Sequence, residues 1–303
     1  MKKSDEKTLR EAIQGVEGKT CWGEALSRHT TLRIGGPADV LVVPKDLGAL
    51  VRLIRQAREQ DVPIFVMGGS NLLVRDGGIR GIVVKLSRFE KMTDPSATQV
   101  DAEGGVLLSN LARHAMKRGL SGLEFAQGIP GTVGGAVVMN AGTREGEIAD
   151  RLTAIRIVES DGNLRTVTRS EMEFGYRSSR IPKGVIVGAV FQLRPSSPPE
   201  IQRRMRGFID RRKATQPLAL PNAGSIFKNP NGHFAAQLVE KVGLKGHRVG
   251  DAQVSEQHAN FIVNLGRATA KDVLELIRAI GKRVEEQMGI TLELELRIVG
   301  QDA

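Results

Sequence analysis

The stretch GIPGTVGGA, Gly128–Ala136, brings four glycines into nine residues at the start of an apolar run. A second glycine-rich stretch, GGSNLLVRDGG, Gly68–Gly78, precedes it in the chain. GIPGTVGGA lacks GxGxxG spacing and GGSNLLVRDGG lacks the GK[ST] ending of a P-loop, so neither is a standard nucleotide signature. Both still suit a phosphate group, because residues without a Cβ let backbone N–H groups close on an anion and a following helix N-terminus adds positive potential.

The chain around these two glycine loops reads as alternating strands and helices. ADVLVVP (38–44), PIFVMG (63–68) and GIVVKL (81–86) are predicted strands, and a helix behind an Asp46 N-cap is predicted between the first two. Leu108, Leu111 and Ala115 have the spacing of another amphipathic helix. Taken alone, each loop is more often a structural turn. Two of them in one such region favour a dinucleotide cofactor.

Later segments are predicted from the same periodicities. Asp161-Gly162 marks a hairpin within TAIRIVESDGNLRTVT (153–168), and GVIVGAVFQL (184–193) is a buried strand. RPSSPPE (194–200) looks like a linker and is the expected main domain boundary. Beyond it, two helical stripes and a period-two strand, LELELRIV (292–299), are expected; the stripes are Ile201, Met205, Phe208, Ile209 and Val273, Ile277, Ile280, Val284.

Composition narrows the class of protein. A chain of 303 residues can bury a sizeable core and form two or three subdomains. The net charge of +10 is compatible with nucleic acid, anionic membrane or phosphorylated small molecules, but one Trp and one Tyr argue against base-stacking platforms. A lone cysteine and five histidines without HxxxH spacing predict neither disulfides nor a metal site. No apolar leader or membrane span is expected, which predicts a cytoplasmic protein.

Three features carry candidate chemistry. In NAGSIFKNP (222–230), Ser225 has no nearby histidine or aspartate that would activate a nucleophile, so it is either a turn residue or a proton donor. FGYRSSRIPKG (174–184) presents Tyr176 beside Arg177. The alternation of LELELRIV places Glu293, Glu295 and Arg297 on one strand face, which is also the pattern of a solvated edge strand.

Taken in order, these segments resemble the UDP-N-acetylenolpyruvoylglucosamine reductase family. The resemblance runs from about His29 to Gly300, and the segment after Tyr176 has no room for the inserted tyrosine loop of the longer subclass. It rests on TTLRIGGPADVLVVP, GGSNLLV, GIPGTVGGAVVMNAG, FGYRSSR, NAGSIFKNP, QVSEQHANFIVN and LELELRIVG.

The resemblance implies an α+β chain with the FAD-binding fold of the vanillyl-alcohol-oxidase type. It implies an N-terminal segment and first FAD-binding lobe at 1–86, a second lobe at 87–196 and a C-terminal α+β substrate-binding domain at 197–303. The cofactor would be non-covalent FAD, reduced by NADPH. The substrate would be UDP-N-acetylglucosamine enolpyruvate, which is reduced to UDP-N-acetylmuramate for peptidoglycan.

The resemblance also assigns residues. Ser225 would donate the proton, while Arg177 and Glu295 would stabilise the carboxylate of the intermediate. Tyr176, Lys213, Asn229 and His258 would contact the substrate. The cofactor would lie against the two glycine loops and the segment after them: Gly68, Gly69, Ser70, Asn71, Leu72, Gly128, Ile129, Pro130, Gly131, Thr132, Gly134, Gly135, Asn140, Ala141 and Gly142. Where the family usually carries an aromatic residue followed by glycines, this chain has Thr143-Arg144-Glu145-Gly146.

Two alternatives compete with this interpretation. A related flavin oxidase acting on sugars or alcohols with oxygen would commonly hold its flavin covalently through His or Cys, and neither residue occurs in the two glycine loops. A basic nucleic-acid-binding protein would explain the net charge, but no recognition-helix motif is visible.

Overall fold

The structure, a computed structural model, describes residues 6–303. Residues 1–5, which belong to the N-terminal stretch predicted to lack an apolar leader, lie outside this range. The α-helices described are α1 (Glu6–Ala12), α2 (Leu47–Glu59), α3 (Leu108–Lys117), α4 (Val133–Met139), α5 (Pro198–Thr215), α6 (Ala235–Lys241) and α7 (Ala270–Met288). The strands are β1 (Gly18–Trp22), β2 (Ala38–Pro44), β3 (Ile64–Val66), β4 (Leu72–Val74), β5 (Ile79–Val84), β6 (Met92–Ser96), β7 (Gln99–Glu103), β8 (Leu120–Ser121), β9 (Gly142–Thr143), β10 (Gly146–Glu147), β11 (Leu152–Val158), β12 (Leu164–Thr168), β13 (Glu173–Gly175), β14 (Ser178–Arg180), β15 (Val185–Gln192), β16 (Arg194–Pro195), β17 (Arg248–Val249), β18 (Ala252–Val254), β19 (Ile262–Asn264) and β20 (Arg297–Val299).

The first of two compact units contains the residues up to Trp22, Val40–Gly68 and Gly81–Arg211. It is built on a four-stranded sheet in the order β1-β2-β5-β3 and a five-stranded sheet in the order β12-β11-β15-β7-β6. One apolar core packs α1 and α2 against the four-stranded sheet, with Leu50, Leu53 and Ile82 fully buried. A second core packs α3, α4 and the start of α5 against the five-stranded sheet around Phe191. This unit therefore holds the 128–136 glycine loop against the second of these apolar cores.

The second unit contains Gly23–Asp39, Gly69–Arg80 and Arg212–Ala303. Its sheets are the antiparallel β17-β18-β19 and the parallel pair β20-β4. Helix α7 buries Val273, Leu276 and Ile280 in the core of this unit. A capping box joins Thr269 and Asp272 at the start of α7, which satisfies N–H groups that a helix start leaves unpaired.

Most of the local sequence signals have the structure that they predict. The Asp46 side chain accepts from the Ala49 N–H at 3.0 Å and starts α2. Asp161-Gly162 forms the turn between β11 and β12, where Gly162 has a φ of +81°. The stripe from Val273 to Val284 is the buried face of α7.

Two local predictions were wrong in extent. LELELRIV is a strand only at β20, because residues 292–296 pair with the irregular chain around Phe227 through a single bridge at Leu294. RPSSPPE is not a linker: β16 pairs with β8, and α5 already begins at Pro198. Proline suits the first turn of a helix because its missing N–H would have no partner there. The three-segment division at 86 and 196 stays a prediction.

Candidate active site

The two glycine loops approach each other within the first unit. A Cβ built on Gly68 would lie 3.9 Å from the Cα of Gly135 and 3.9 Å from Oγ1 of Thr132. With no side chain on either glycine, backbone is exposed on both sides of the approach. This is the cradle that a phosphate group needs, since close contact requires residues without a Cβ.

The 128–136 glycine loop is held by hydrogen bonds from its own backbone to the segment around residue 105. Val133 N–H donates to the Val106 carbonyl at 2.8 Å and Gly134 N–H to the Gly104 carbonyl at 2.9 Å. Thr132 is the N-cap of α4 and accepts from Gly135 N–H at 3.4 Å. Immediately before Gly128, the Oε1 atom of Gln127 is buried without a hydrogen-bond partner. An orphaned buried acceptor is costly, so this atom fits a bound group that donates a hydrogen bond, as the FAD that the sequence predicts can.

The 68–78 glycine loop continues into the second unit and is hydrogen-bonded there to the C-terminal segment. The Asn71 side-chain amide donates to the Glu295 carbonyl at 2.9 Å, and the Arg297 N–H reaches the Asn71 carbonyl at 3.4 Å. Thr31 holds the preceding residues through the Gly69 and Ser70 carbonyls. Leu72 begins β4, which pairs in parallel with β20. The predicted cofactor loop and the backbone of Glu295 are therefore neighbours.

Ser225 lies in an irregular segment that Asn260 holds in place. Ile226 N–H donates to the Asn260 carbonyl at 2.9 Å, Phe227 N–H donates to Asn260 Oδ1 at 3.0 Å, and Asn260 Nδ2 donates to the Phe227 carbonyl at 2.8 Å. Asn260 is only 4% exposed. Before the serine, Asn222 Oδ1 accepts from Gly224 N–H at 3.1 Å and turns the chain. The Ser225 hydroxyl is half-buried and makes no hydrogen bond with the residues from Glu6 onward.

Glu295 lies in the C-terminal segment that is hydrogen-bonded to the Ser225 segment. Its N–H donates to the Ile226 carbonyl at 2.9 Å, and the Leu296 N–H reaches the same carbonyl at 3.2 Å. The Glu295 side chain is half-buried, and the leucines flanking it pack into the core of the second unit. The predicted alternation of faces is therefore confirmed here even though the strand is short. Ser225 and Glu295, distant in sequence, lie on hydrogen-bonded neighbouring segments.

Arg177 occupies a strained position in the first unit. It is the second of two residues linking β13 to β14, and its φ is +53°, a left-handed conformation that costs a non-glycine residue about 1–2 kcal/mol. Its Nη2 donates to the Gly142 carbonyl at 2.7 Å, and its guanidinium carbon lies 5.1 Å from the centre of the Tyr176 ring. Strain that a structure retains at one charged side chain points to a function for that side chain.

Asn140 supports the turn that carries Arg177. It is 0% exposed, ends α4 in a left-handed conformation, donates to the Gly175 carbonyl at 3.0 Å and accepts from Ala149 N–H at 3.1 Å. Its amide is therefore occupied by the protein. Contact of Asn140 and its neighbours Ala141 and Gly142 with the cofactor stays a prediction.

The predicted substrate residues are distributed over both units. Tyr176 is 48% exposed at its turn. Lys213 is exposed in the last turn of α5, where its carbonyl accepts from Gln257 at 3.2 Å. Asn229 accepts from Ala235 N–H at 3.0 Å at the start of α6. Burial, together with the charge of Lys245, lowers the pKa of His258 below its ordinary value, so the ring is neutral at pH 7 and its Nδ1 accepts from Asn260 N–H.

The structure thus gathers the predicted residues into two groups. The second unit holds Ser225, Glu295, Asn71 and His258, and the first holds Arg177, Tyr176, Asn140 and the 128–135 loop. Sequence reasoning missed Asn260 as the residue that fixes the serine segment; its signal was present, since it lies within the quoted QVSEQHANFIVN motif. Within residues 6–303 there is no cluster of potential metal ligands and no helix long and apolar enough to cross a membrane.

Comparisons with known proteins agree with this arrangement. A family model described as FAD binding domain matches residues 38–168, and one described as UDP-N-acetylenolpyruvoylglucosamine reductase, C-terminal domain, matches residues 216–299. UDP-N-acetylenolpyruvoylglucosamine reductase 2 of Symbiobacterium thermophilum is 47% identical and covers 94% of both chains. The reductase of Bacillus velezensis is 45% identical over 97% of this chain and 99% of its own.

A solved structure shows the same fold. The crystal structure of UDP-N-acetylenolpyruvylglucosamine reductase from Thermus caldophilus matches with a TM-score of 0.80 and 40% identity, covering 94% of this chain and 99% of the other. With the match to an FAD binding domain, this confirms the predicted fold class and the predicted FAD cofactor.

Proposed function

The chain belongs to the UDP-N-acetylenolpyruvoylglucosamine reductase family, and we propose that it reduces UDP-N-acetylglucosamine enolpyruvate to UDP-N-acetylmuramate, using NADPH and FAD. This reaction completes a precursor of peptidoglycan. The observation that carries the proposal is the backbone pairing of Ile226 with Glu295, which places a serine and a carboxylate on neighbouring segments inside the reductase-specific C-terminal match.

FAD fits the glycine loops of this chain. Backbone around Gly68, Gly131 and Thr132 would face its pyrophosphate, since the N–H groups of Val133, Gly134 and Gly135 already donate within the protein. When bound, FAD would supply the redox chemistry, carrying a hydride from NADPH to the enolpyruvyl methylene carbon. The remaining chemistry belongs to side chains of the protein.

Ser225 supplies the proton. When the hydride reaches the methylene carbon, negative charge builds at the neighbouring carbon and delocalises into the carboxylate of the substrate. Such a carbanion is basic enough to take a proton from a hydroxyl group without a histidine or aspartate partner. The half-buried Ser225 hydroxyl has no hydrogen-bond partner among the described residues, so it is available to donate, and Asn260 fixes the backbone on which it sits.

Arg177 and Glu295 stabilise the intermediate. A fixed guanidinium lowers the energy of an enolate that spreads into a carboxylate, because its charge and donors are oriented before the reaction begins. The turn with φ of +53° and the bond to the Gly142 carbonyl provide this orientation for Arg177. Glu295 would act as a protonated carboxyl that donates a hydrogen bond to the substrate, because an ionised carboxylate would repel the negative intermediate. Tyr176, Lys213, Asn229 and neutral His258 contact the sugar nucleotide.

Three further assignments belong to this proposal. An N-terminal segment and the first FAD-binding lobe are assigned to 1–86, the second lobe to 87–196 and the substrate-binding domain to 197–303. The enzyme acts in the cytoplasm, because its reductant and a UDP-linked substrate are cytoplasmic metabolites. The short subclass is supported by the two-residue Tyr176-Arg177 turn, which leaves no inserted loop.

The test is a substrate-dependent consumption of NADPH. Purified protein should be yellow, and NADPH absorbance should fall only when UDP-N-acetylglucosamine enolpyruvate is added, with UDP-N-acetylmuramate as the product by mass spectrometry. UDP-N-acetylglucosamine without the enolpyruvyl group serves as the control. Steady oxygen consumption with a sugar or alcohol, and no effect of the enolpyruvyl substrate, would instead support the related flavin oxidase.

A further inference from the structure

The hairpin from Gly142 to Glu147 connects the Arg177 turn to helix α5. Strands β9 and β10 pair Gly142 with Glu147 and Thr143 with Gly146, which leaves Arg144 and Glu145 as a two-residue tip. A Cβ on Gly142 would collide with the Gly146 carbonyl oxygen at 2.7 Å, so the two strands are closely apposed. The hairpin is therefore a tight unit in which paired strands connect the tip to the base.

At its base, this hairpin holds the Arg177 side chain. The Gly142 carbonyl accepts from Nη2 of Arg177 at 2.7 Å. The backbone of Arg177 is itself in a left-handed conformation, and its guanidinium also lies against the Tyr176 ring. Any displacement of Gly142 thus moves an acceptor of the guanidinium.

At its tip, the hairpin is attached to α5. The Glu145 carboxylate forms an ion pair with Nη1 of Arg211, and the Arg211 guanidinium lies 5.9 Å from the centre of the Phe208 ring one turn earlier. Thr143 Oγ1 accepts from Glu145 N–H at 3.2 Å and keeps the tip folded. The hydrogen bond from Arg211 lowers the pKa of the Glu145 carboxyl, so this carboxyl is ionised at neutral pH.

The pair is too exposed to serve mainly in global stability. The side chain of Arg211 is 63% exposed and that of Glu145 is 38% exposed. Exposed ion pairs contribute little to the free energy of unfolding, because solvent screens them and ordering two long side chains costs entropy. The effect of this pair is local: it fixes where the hairpin tip sits.

We propose that Glu145 and Arg211 are positioning residues that fix the 142–147 hairpin on α5 and thereby hold Arg177 in the orientation that the reaction needs. This inference rests on the proposed function for the role of Arg177. The link from the ion pair to the hairpin rests on the contacts alone. The two parts are tested by different measurements.

The experiment compares Glu145→Gln and Arg211→Gln with Arg206→Gln, which, like Arg211→Gln, removes one positive charge from an exposed residue of α5. Amide hydrogen exchange of peptides covering 142–147 and 173–180 should speed up in the first two variants and stay at the wild-type rate in Arg206→Gln. Thermal midpoint and FAD content should match those of the Arg206→Gln control in both test variants.

Half-reaction kinetics provide the second readout. Reduction of the flavin by NADPH should be unchanged, whereas its reoxidation by the enolpyruvyl sugar nucleotide should slow by about three- to tenfold, as expected when a catalytic group loses orientation. The charge-swapped double variant Glu145→Arg with Arg211→Glu should recover most of that rate.

Specific outcomes would overturn the proposal. Exchange rates of both hairpins equal to wild type in Glu145→Gln would show that the pair does not fix the hairpin. Equal slowing of both half-reactions with loss of FAD would indicate a general structural role instead. If the wild-type protein itself is not reoxidised by the enolpyruvyl substrate, the proposed function fails, while the exchange measurement still decides whether the pair holds the hairpin.

Discussion

At the scale of single residues, the site depends on side chains whose partners are backbone groups. Asn260 holds the serine segment through three hydrogen bonds to Ile226 and Phe227, and Asn140 holds the Arg177 turn through Gly175 and Ala149. Both amides are buried and hydrogen-bonded. The proposed reacting side chains are thereby carried on rigid supports, which is the arrangement that orientation-dependent catalysis requires.

Ser225→Ala should separate the two half-reactions. Reduction of FAD by NADPH involves no proton transfer to substrate and should run near the wild-type rate. Reoxidation by the enolpyruvyl sugar nucleotide should slow by about 10²–10⁴-fold, the usual effect of removing a positioned proton donor. Anaerobic stopped-flow absorbance at the flavin band measures both rates.

Ser225→Cys is the matched control for that experiment. A thiol can still donate a proton, so this variant should reoxidise faster than the alanine variant and more slowly than wild type. Rapid reoxidation in Ser225→Ala, or equal slowing of the two halves, would contradict the assignment of Ser225 as the donor.

At the scale of elements, the β13–β14 hairpin holds the Arg177 guanidinium in place at the cost of backbone strain. Its two-residue turn requires a left-handed conformation at Arg177, which glycine adopts without penalty and arginine does not. The guanidinium donates a hydrogen bond to the Gly142 carbonyl and lies against the Tyr176 ring.

Arg177→Gly should therefore leave stability nearly unchanged and abolish most of the activity. Relief of about 1–2 kcal/mol of backbone strain offsets the loss of a hydrogen bond worth roughly 1 kcal/mol. Thermal unfolding should give a midpoint close to that of wild type with FAD retained, while turnover falls at least about 10²-fold.

The control for this variant is Arg180→Gly at the exposed end of β14. It removes the same side chain from the same hairpin, but from a strand position where glycine relieves no strain. It should lower stability slightly and keep turnover. Wild-type turnover in Arg177→Gly would remove Arg177 from the mechanism.

At the scale of the whole molecule, the similarity to known reductases extends over nearly the entire chain and therefore includes both units. Each unit has its own apolar core and its own share of the predicted site residues. Neither glycine loop contains a histidine or cysteine that could link a flavin covalently.

The cofactor should therefore be released by unfolding. Acid precipitation of the yellow protein should leave free FAD in the supernatant, identified by its retention time and mass. An equal amount of free FAD mixed with a flavin-free protein controls for trapping in the pellet. Colour that stays with the precipitated chain after washing would mean a covalent bond and would contradict this expectation.

Local sequence patterns determined a large part of this structure. The Asp46 cap, the buried stripe of α7, the Asp161-Gly162 turn and the two glycine loops all follow from interactions between residues close together in the chain. The family resemblance added the set of candidate residues. These signals suffice because helix caps, helix periodicity and tight turns are satisfied within a few residues.

Tertiary structure alone decided how the site is assembled. Residues 292–296 are irregular because their partner is the serine segment and not a strand, and this same pairing places Glu295 beside Ser225. RPSSPPE became β16 and the start of α5 because β8 was available to pair with it. The bond from Arg177 to Gly142 and the ion pair of Glu145 with Arg211 join segments distant in sequence. Such contacts leave no local sequence pattern, because the two partners are far apart in the chain and meet only when the whole chain has packed.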